Sequence, residues 1–153
     1  MNCLEIKKSI KHILNRRGSL PSIVSSNKSL QDDLAGKRFV DLPDSRQRMI
    51  YGDITIFNKE AFHYYVFEMI EDALNRKELP VLFDMFILGL SNESVSFDDR
   101  LTLLDKNEKQ TVLKFLECVL EYITTSKNVD ASILKEDYQK DIEEIIVFWR
   151  TIQ

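Results

Sequence analysis

Apolar positions in this chain recur every three or four residues over most of its length, so helices can be marked out from spacing alone. The first runs from about Asn2 to Arg17. Leu4, Ile6, Ile10, Ile13 and Leu14 form its apolar side and Lys7, Lys8 and Lys11 the other, with Arg16 and Arg17 at the negative helix end and Gly18 as the stop. A polar, serine-rich connector containing Pro21 follows from Ser19 to Ser29, then a helical turn from Leu30 to Leu34 that ends at Gly36. Asp44 and Gln47, just after Pro43, have the spacing of a capping box and predict a short helix toward Tyr51. Ile54, Thr55 and Ile56 have strand character but no second strand to pair with, so Asp53–Phe57 reads as an extended link.

The longer helices come next. Asn58 is a good cap for one that continues to about Lys77, with Phe62, Val66, Met69, Ile70 and Ala73 on one face. Pro80 opens a short apolar helix through Leu90, and Asn92–Ser96 reads as a loop. Asp105 and Glu108 form a second capping-box spacing, at the head of a helix reaching Thr125. Apolar residues cover more than half the circumference of that helix, which predicts burial between neighbours. The last helix spans about 130–152 and packs through Tyr138, Ile142, Ile145, Trp149 and Ile152. The expected fold is all-α, a compact bundle of five or six helices in one domain over residues 1–153. Residues 1–17 are its N-terminal helix, 18–43 a connector and 44–153 the core bundle.

Composition agrees with this reading. In 153 residues there are four glycines and three prolines, which suits uninterrupted helices. The longest apolar run, Met85–Leu90, is too short to span a bilayer, and the first residues lack the apolar segment of a signal peptide. The expected compartment is therefore the cytoplasm. Cys3 and Cys118 have apolar neighbours and belong to no motif, so they are expected to be buried thiols rather than a disulfide.

The net charge of −4 is unevenly spread. Residues 1–50 hold 10 Lys/Arg against 5 Asp/Glu, and residues 51–153 hold 11 against 20. An acidic body argues against nucleic acid as the main ligand, because phosphate binding needs clustered positive charge. His12 and His63 have no Cys or carboxylate at a ligand spacing, so no metal site is expected, and the isolated glycines form no phosphate loop. Adjacent acids such as Asp32-Asp33, Asp98-Asp99 and Glu143-Glu144 diverge around a helix and make poor proton-sharing pairs. No catalytic residue and no cofactor is assigned.

Candidate partner-binding residues come from helix faces. Opposite the apolar face of the helix after Asn58 lie Glu60, Tyr64, Glu68 and Glu71, with Phe67 at the margin. A tyrosine among carboxylates suits a basic protein partner, since tyrosine anchors interfaces and charge steers the encounter. The competing expectation is that Tyr64 and Phe67 pack under the first helix or the loop after it. Asp98 and Asp99, together with an acidic strip of Asp137, Asp141 and Glu144 on the last helix, complete the candidate set.

The run Phe57-Asn58-Lys59-Glu60-Ala61-Phe62-His63-Tyr64-Tyr65, then Phe97-Asp98, then Leu104-Asp105-Lys106-Asn107-Glu108, resembles a family of small bacterial helical proteins. The likeness covers roughly residues 44–122 and departs at Asn58-Lys59, where the family has a hydroxyl residue and proline. Such proteins resemble immunity proteins encoded near polymorphic toxins. The resemblance implies a non-catalytic protein that binds and blocks a toxin domain with a basic cleft, and it carries no catalytic residues over. Two alternatives stay open: a small enzyme using His63, Tyr64 and nearby carboxylates, or a nucleic-acid contact through Lys7, Lys8, Lys11, Arg16 and Arg17.

Overall fold

The computed structural model describes residues 1, 3–93 and 97–153, and leaves the side chains of Phe97 and Asp98 undescribed. Eight α-helices and no strand occur among the described residues: α1 (Leu4–Arg16), α2 (Lys28–Leu34), α3 (Asp44–Ile50), α4 (Lys59–Asn75), α5 (Phe83–Leu88), α6 (Phe97–Leu101), α7 (Lys106–Thr125) and α8 (Val129–Thr151). Turns of 3₁₀ helix occupy Phe39–Asp41 and Tyr51–Ile56. The all-α expectation holds, but eight helices replace the five or six expected. The larger count comes from the short helices, where the expected turn at Leu30–Leu34 and the expected short helix from Asp44 stand as α2 and α3, and α6 adds another. The expected start of the first helix at Asn2 and the end of the Asn92–Ser96 loop lie outside the described residues.

The longest helices carry the frame. α7 and α8 are joined by only three residues and fold back along one another, and α5 lies against α8. The Trp149 indole, fully buried, donates to the Leu90 carbonyl at 2.9 Å and ties the end of α8 to the end of α5. α1 lies across α4 and α7, burying Ile6, Ile10 and Ile13. The Asp105–Glu108 capping box forms as expected, with Glu108 N–H donating to Asp105 at 2.8 Å and Asp105 N–H to Glu108 at 2.9 Å.

Four local expectations need correction. Asp44 makes no cap. Gln47 instead donates its side-chain amide to the carbonyls of Phe39, Val40 and Leu42, serving the preceding turn. The 53–57 link is 3₁₀ helix up to Ile56, and only Phe57 is extended. It packs against α5, where a Cβ on Gly89 would collide with Ile54. α5 begins at Phe83 rather than at Pro80, after Leu82 has turned through a left-handed backbone (φ 64°). Cys3 and Cys118 are joined as a disulfide between α1 and α7, with Cα atoms 6.6 Å apart. The packing of α1 on α7 brings the two ends together, a proximity that their separation of 115 residues concealed.

The serine-rich connector is stitched to α4. Asn58 caps α4 by accepting from Ala61 N–H at 2.8 Å, while its own amide donates to Ile23 O and its backbone N–H to Val24 O, each at 2.8 Å. Ser25 donates to Ile56 O at 2.6 Å, and Gln31 accepts from Val24 N–H at 2.7 Å. One asparagine thus starts the central helix and anchors the segment that crosses its end.

Candidate functional site

α4 is buried on most of its circumference. Tyr64, Tyr65, Phe67 and Leu74 are buried along with the expected Phe62, Val66, Met69, Ile70 and Ala73. The outward orientation expected for Glu68 is therefore corrected, while Tyr64 and Phe67 are buried, as the competing expectation had them, with Arg17 at the end of α1 lying over Tyr64. A helix buried on most of its sides sits at the centre of a core, and here the end of α1 and the Phe39–Asp41 turn close over the side that carries Tyr64 and Glu68.

Glu68 is the instructive case, because its side chain is wholly shielded from solvent. One carboxylate oxygen accepts from the Arg17 guanidinium and, at 3.5 Å, from Arg38 Nε, and the other accepts from Phe39 N–H at 2.8 Å. Arg17 also donates to the Tyr64 carbonyl at 3.2 Å and lies 3.9 Å above the Tyr64 ring. The end of α1 is thereby pinned on α4. A buried carboxylate is tolerated only when paired and hydrogen-bonded, and here the partners come from within the chain. Arg17 is withdrawn from the basic strip of α1, leaving Lys8, Lys11 and Arg16 exposed with Lys7 half-buried.

Beside this knot lies a cleft of about 610 Å³ between the 17–23 connector and the first turns of α4, lined by Asn58, Glu60, His63 and Tyr64. His63 Nε2 sits 3.0 and 3.1 Å from the two oxygens of Glu108, and that hydrogen bond raises the imidazole pKa above its ordinary value against the opposing pull of burial. Glu108 also caps α7, so the pair is shared with the helix start. Glu71 is half-buried in a neighbouring hollow with Lys11 and Arg38. No group of three or more His, Cys, Asp or Glu able to hold a metal occurs among the described residues.

The remaining candidates sit elsewhere. Asp99 is exposed on α6, and the side chain of Asp98 lies outside the described residues. Asp141 and Glu144 are exposed on α8. With Asp130 and Asp137, also exposed, they recur at spacings of seven, four and three, which places them along one edge of that helix.

That edge borders a groove that sequence reasoning missed. It holds about 360 Å³ between the 79–84 turn and the first half of α8 and is lined by Val81, Leu82, Ile133, Leu134, Asp84, Asp130, Asp137 and Tyr138. Val81 and Ile133 are each 52% exposed. The Tyr138 hydroxyl donates to Asp84 at 3.1 Å across the groove, a bond that raises the tyrosine pKa. The signal available in the sequence was Ile133, an apolar residue that falls off the seam of its own helix.

The chain matches no protein-family model, no curated protein and no solved structure. No helix among the described residues is long and apolar enough to cross a membrane.

Proposed function

We propose that this protein acts without catalysis, by binding another protein, and that it is a bacterial immunity protein which holds a toxin domain through that domain's basic cleft. The observation that carries the reading is the exposed acidic edge of α8, where Asp130, Asp137, Asp141 and Glu144 point away from the core and have no basic partner among the ion pairs within the described residues. Carboxylates left unpaired in this way raise the local concentration of a cationic partner and speed its encounter. Enzymes that act on nucleic acids or nucleotides need basic clefts, and an acidic helix edge is the complementary surface. The site of action in this reading is the cytoplasm.

A second reading, a small enzyme working in the cleft, draws on the His63–Glu108 pair. It ranks behind, because Glu108 holds the imidazole while also capping α7, so the pair already serves the packing of α7 on α4. Tyr64 is also engaged, with its ring under Arg17.

The test is protection. Cells expressing the toxin domain encoded beside this gene should survive when the chain is co-expressed, and purified chain should inhibit that domain at a one-to-one ratio. Asp130→Lys with Asp137→Lys and Asp141→Lys should abolish protection in a protein that still folds. Wild-type chain that neither protects nor inhibits would overturn the reading.

A further inference from the structure

The structure assigns the groove between the 79–84 turn and α8 as a docking site for a basic amphipathic helix of a protein partner. This rests on the protein-binding reading above and goes further in naming the surface and the shape of what fills it. Three observations converge there.

The lining is apolar and open: Val81 and Ile133, each 52% exposed, line the groove together with the buried Phe83 and Leu134. Exposed aliphatic side chains that line a concavity together, rather than scattering singly, mark interaction sites. The rim is acidic, with Asp84, Asp130 and Asp137 lining it. A partner with leucines on one helix face and lysine or arginine beside them would bury the first and pair the second. The same rim repels the phosphates of nucleic acid and of anionic lipid, which favours a cationic peptide segment over either.

The wall, finally, is strained. Leu82 holds a left-handed backbone (φ 64°, ψ 19°), which a residue with a branched side chain adopts rarely. It is kept there by packing against Gly52, whose added Cβ would fall 2.9 Å from the Leu82 side chain. This turn starts α5 directly at the groove and sets Val81 out toward solvent. Backbone strain of this kind persists where the surroundings over-determine it, and it clusters at binding surfaces.

The probe is a synthetic helical peptide of leucine and lysine, with leucines at i, i+3, i+4 and i+7, against a scramble of the same composition. Fluorescence anisotropy should show the amphipathic peptide binding the full chain and the scramble binding about tenfold more weakly. Val81→Ser with Ile133→Ser should weaken the amphipathic peptide about tenfold or more and leave the scramble unchanged. Both side chains are already exposed, so melting temperature should not move. Amide shifts in the wild type should centre on residues 79–84 and 130–138.

Equal binding of both peptides would overturn the groove and leave only charge attraction, as would shifts centred elsewhere or a double variant that binds as well as wild type. So would binding to phosphatidylcholine vesicles that the double variant loses, without peptide selectivity. Selective, groove-dependent peptide binding by a chain that fails to protect cells from the toxin would uphold the groove and discard the toxin reading alone.

Discussion

Two regions of this protein set carboxylates beside apolar side chains, and they resolve the arrangement in opposite ways. In the first, Glu68 lies inside the molecule between Arg17, Arg38 and the Phe39 amide, with Tyr64 under the arginine. In the second, Asp130 and Asp137 stand in solvent at the edge of a groove lined by Ile133 and Val81. Glu68 is satisfied by its own chain and fastens α1 to α4. The aspartates take part in none of the ion pairs among the described residues and remain available to another molecule. Acidity next to an aromatic or aliphatic group therefore says little by itself. What separates structure from function is whether the cation that answers the carboxylate is already present.

The comparison is broken most severely by removing the buried member. Glu68→Ala leaves Arg17 shielded with no counter-ion, and loss of one partner of a buried pair costs about 3–5 kcal/mol. Denaturant unfolding should show it as a large fall in midpoint. A fall below about 1 kcal/mol would mean the knot is looser than its burial implies.

The disulfide acts on the same helix from its other end. Reduction, or Cys3→Ser, frees the start of α1 from α7 and should lower stability by about 2–4 kcal/mol, since the bridge closes most of the chain. Melting with and without reductant checks this, and the reduced chain should still bind partner through α8.

A smaller effect belongs to His63. Glu108 raises its pKa in the folded state, so the pair's contribution is fully present below the unfolded value of about 6.5 and is lost as pH climbs through the folded value. The half-exposed pair should contribute at most ~1 kcal/mol. His63→Gln should flatten the pH profile of melting temperature in that window, and an unchanged profile would contradict the assignment.

Least of all should stability respond at the open region. Asp137→Asn and Ile133→Glu are expected within about 0.5 kcal/mol of wild type in the same unfolding assay. Asp137→Asn should nonetheless slow partner association measurably.

The sequence disclosed helices wherever their pattern was long enough to repeat. α4, α7 and α8 lie within a residue or two of their expected bounds, and the Asp105–Glu108 cap forms as its spacing required. Among the short helices, turn chemistry placed α3 after Pro43, whereas α5 begins at Phe83 and not Pro80 because its bounds depend on neighbours, as Gly89 against Ile54 shows. The orientation of Glu68 was illegible for a different reason, whereas the burial of Tyr64 was one of the two expectations its position allowed. A carboxylate reads as surface unless its partners are known, and Arg17 and Arg38 come from 51 and 30 residues away. Arg100 was hidden likewise: it lies buried in the core, donating to Ile54 O at 2.9 Å, with burial lowering its pKa. Asp141 and Glu144 were legible as exposed because the seam of α8 leaves them no other side.

The central claim is that the acidic edge of α8, and not the acids of α4, meets the partner. Stopped-flow association with the toxin domain, measured from about 0.01 M to about 0.15 M salt, tests it most directly. The Asp130→Asn, Asp137→Asn, Asp141→Asn variant should lose much of the salt dependence of the association rate, while Glu60→Gln with Glu71→Gln should retain it. The contradictory result is the reverse pattern, with the α8 variant as salt-sensitive as wild type and the α4 variant not.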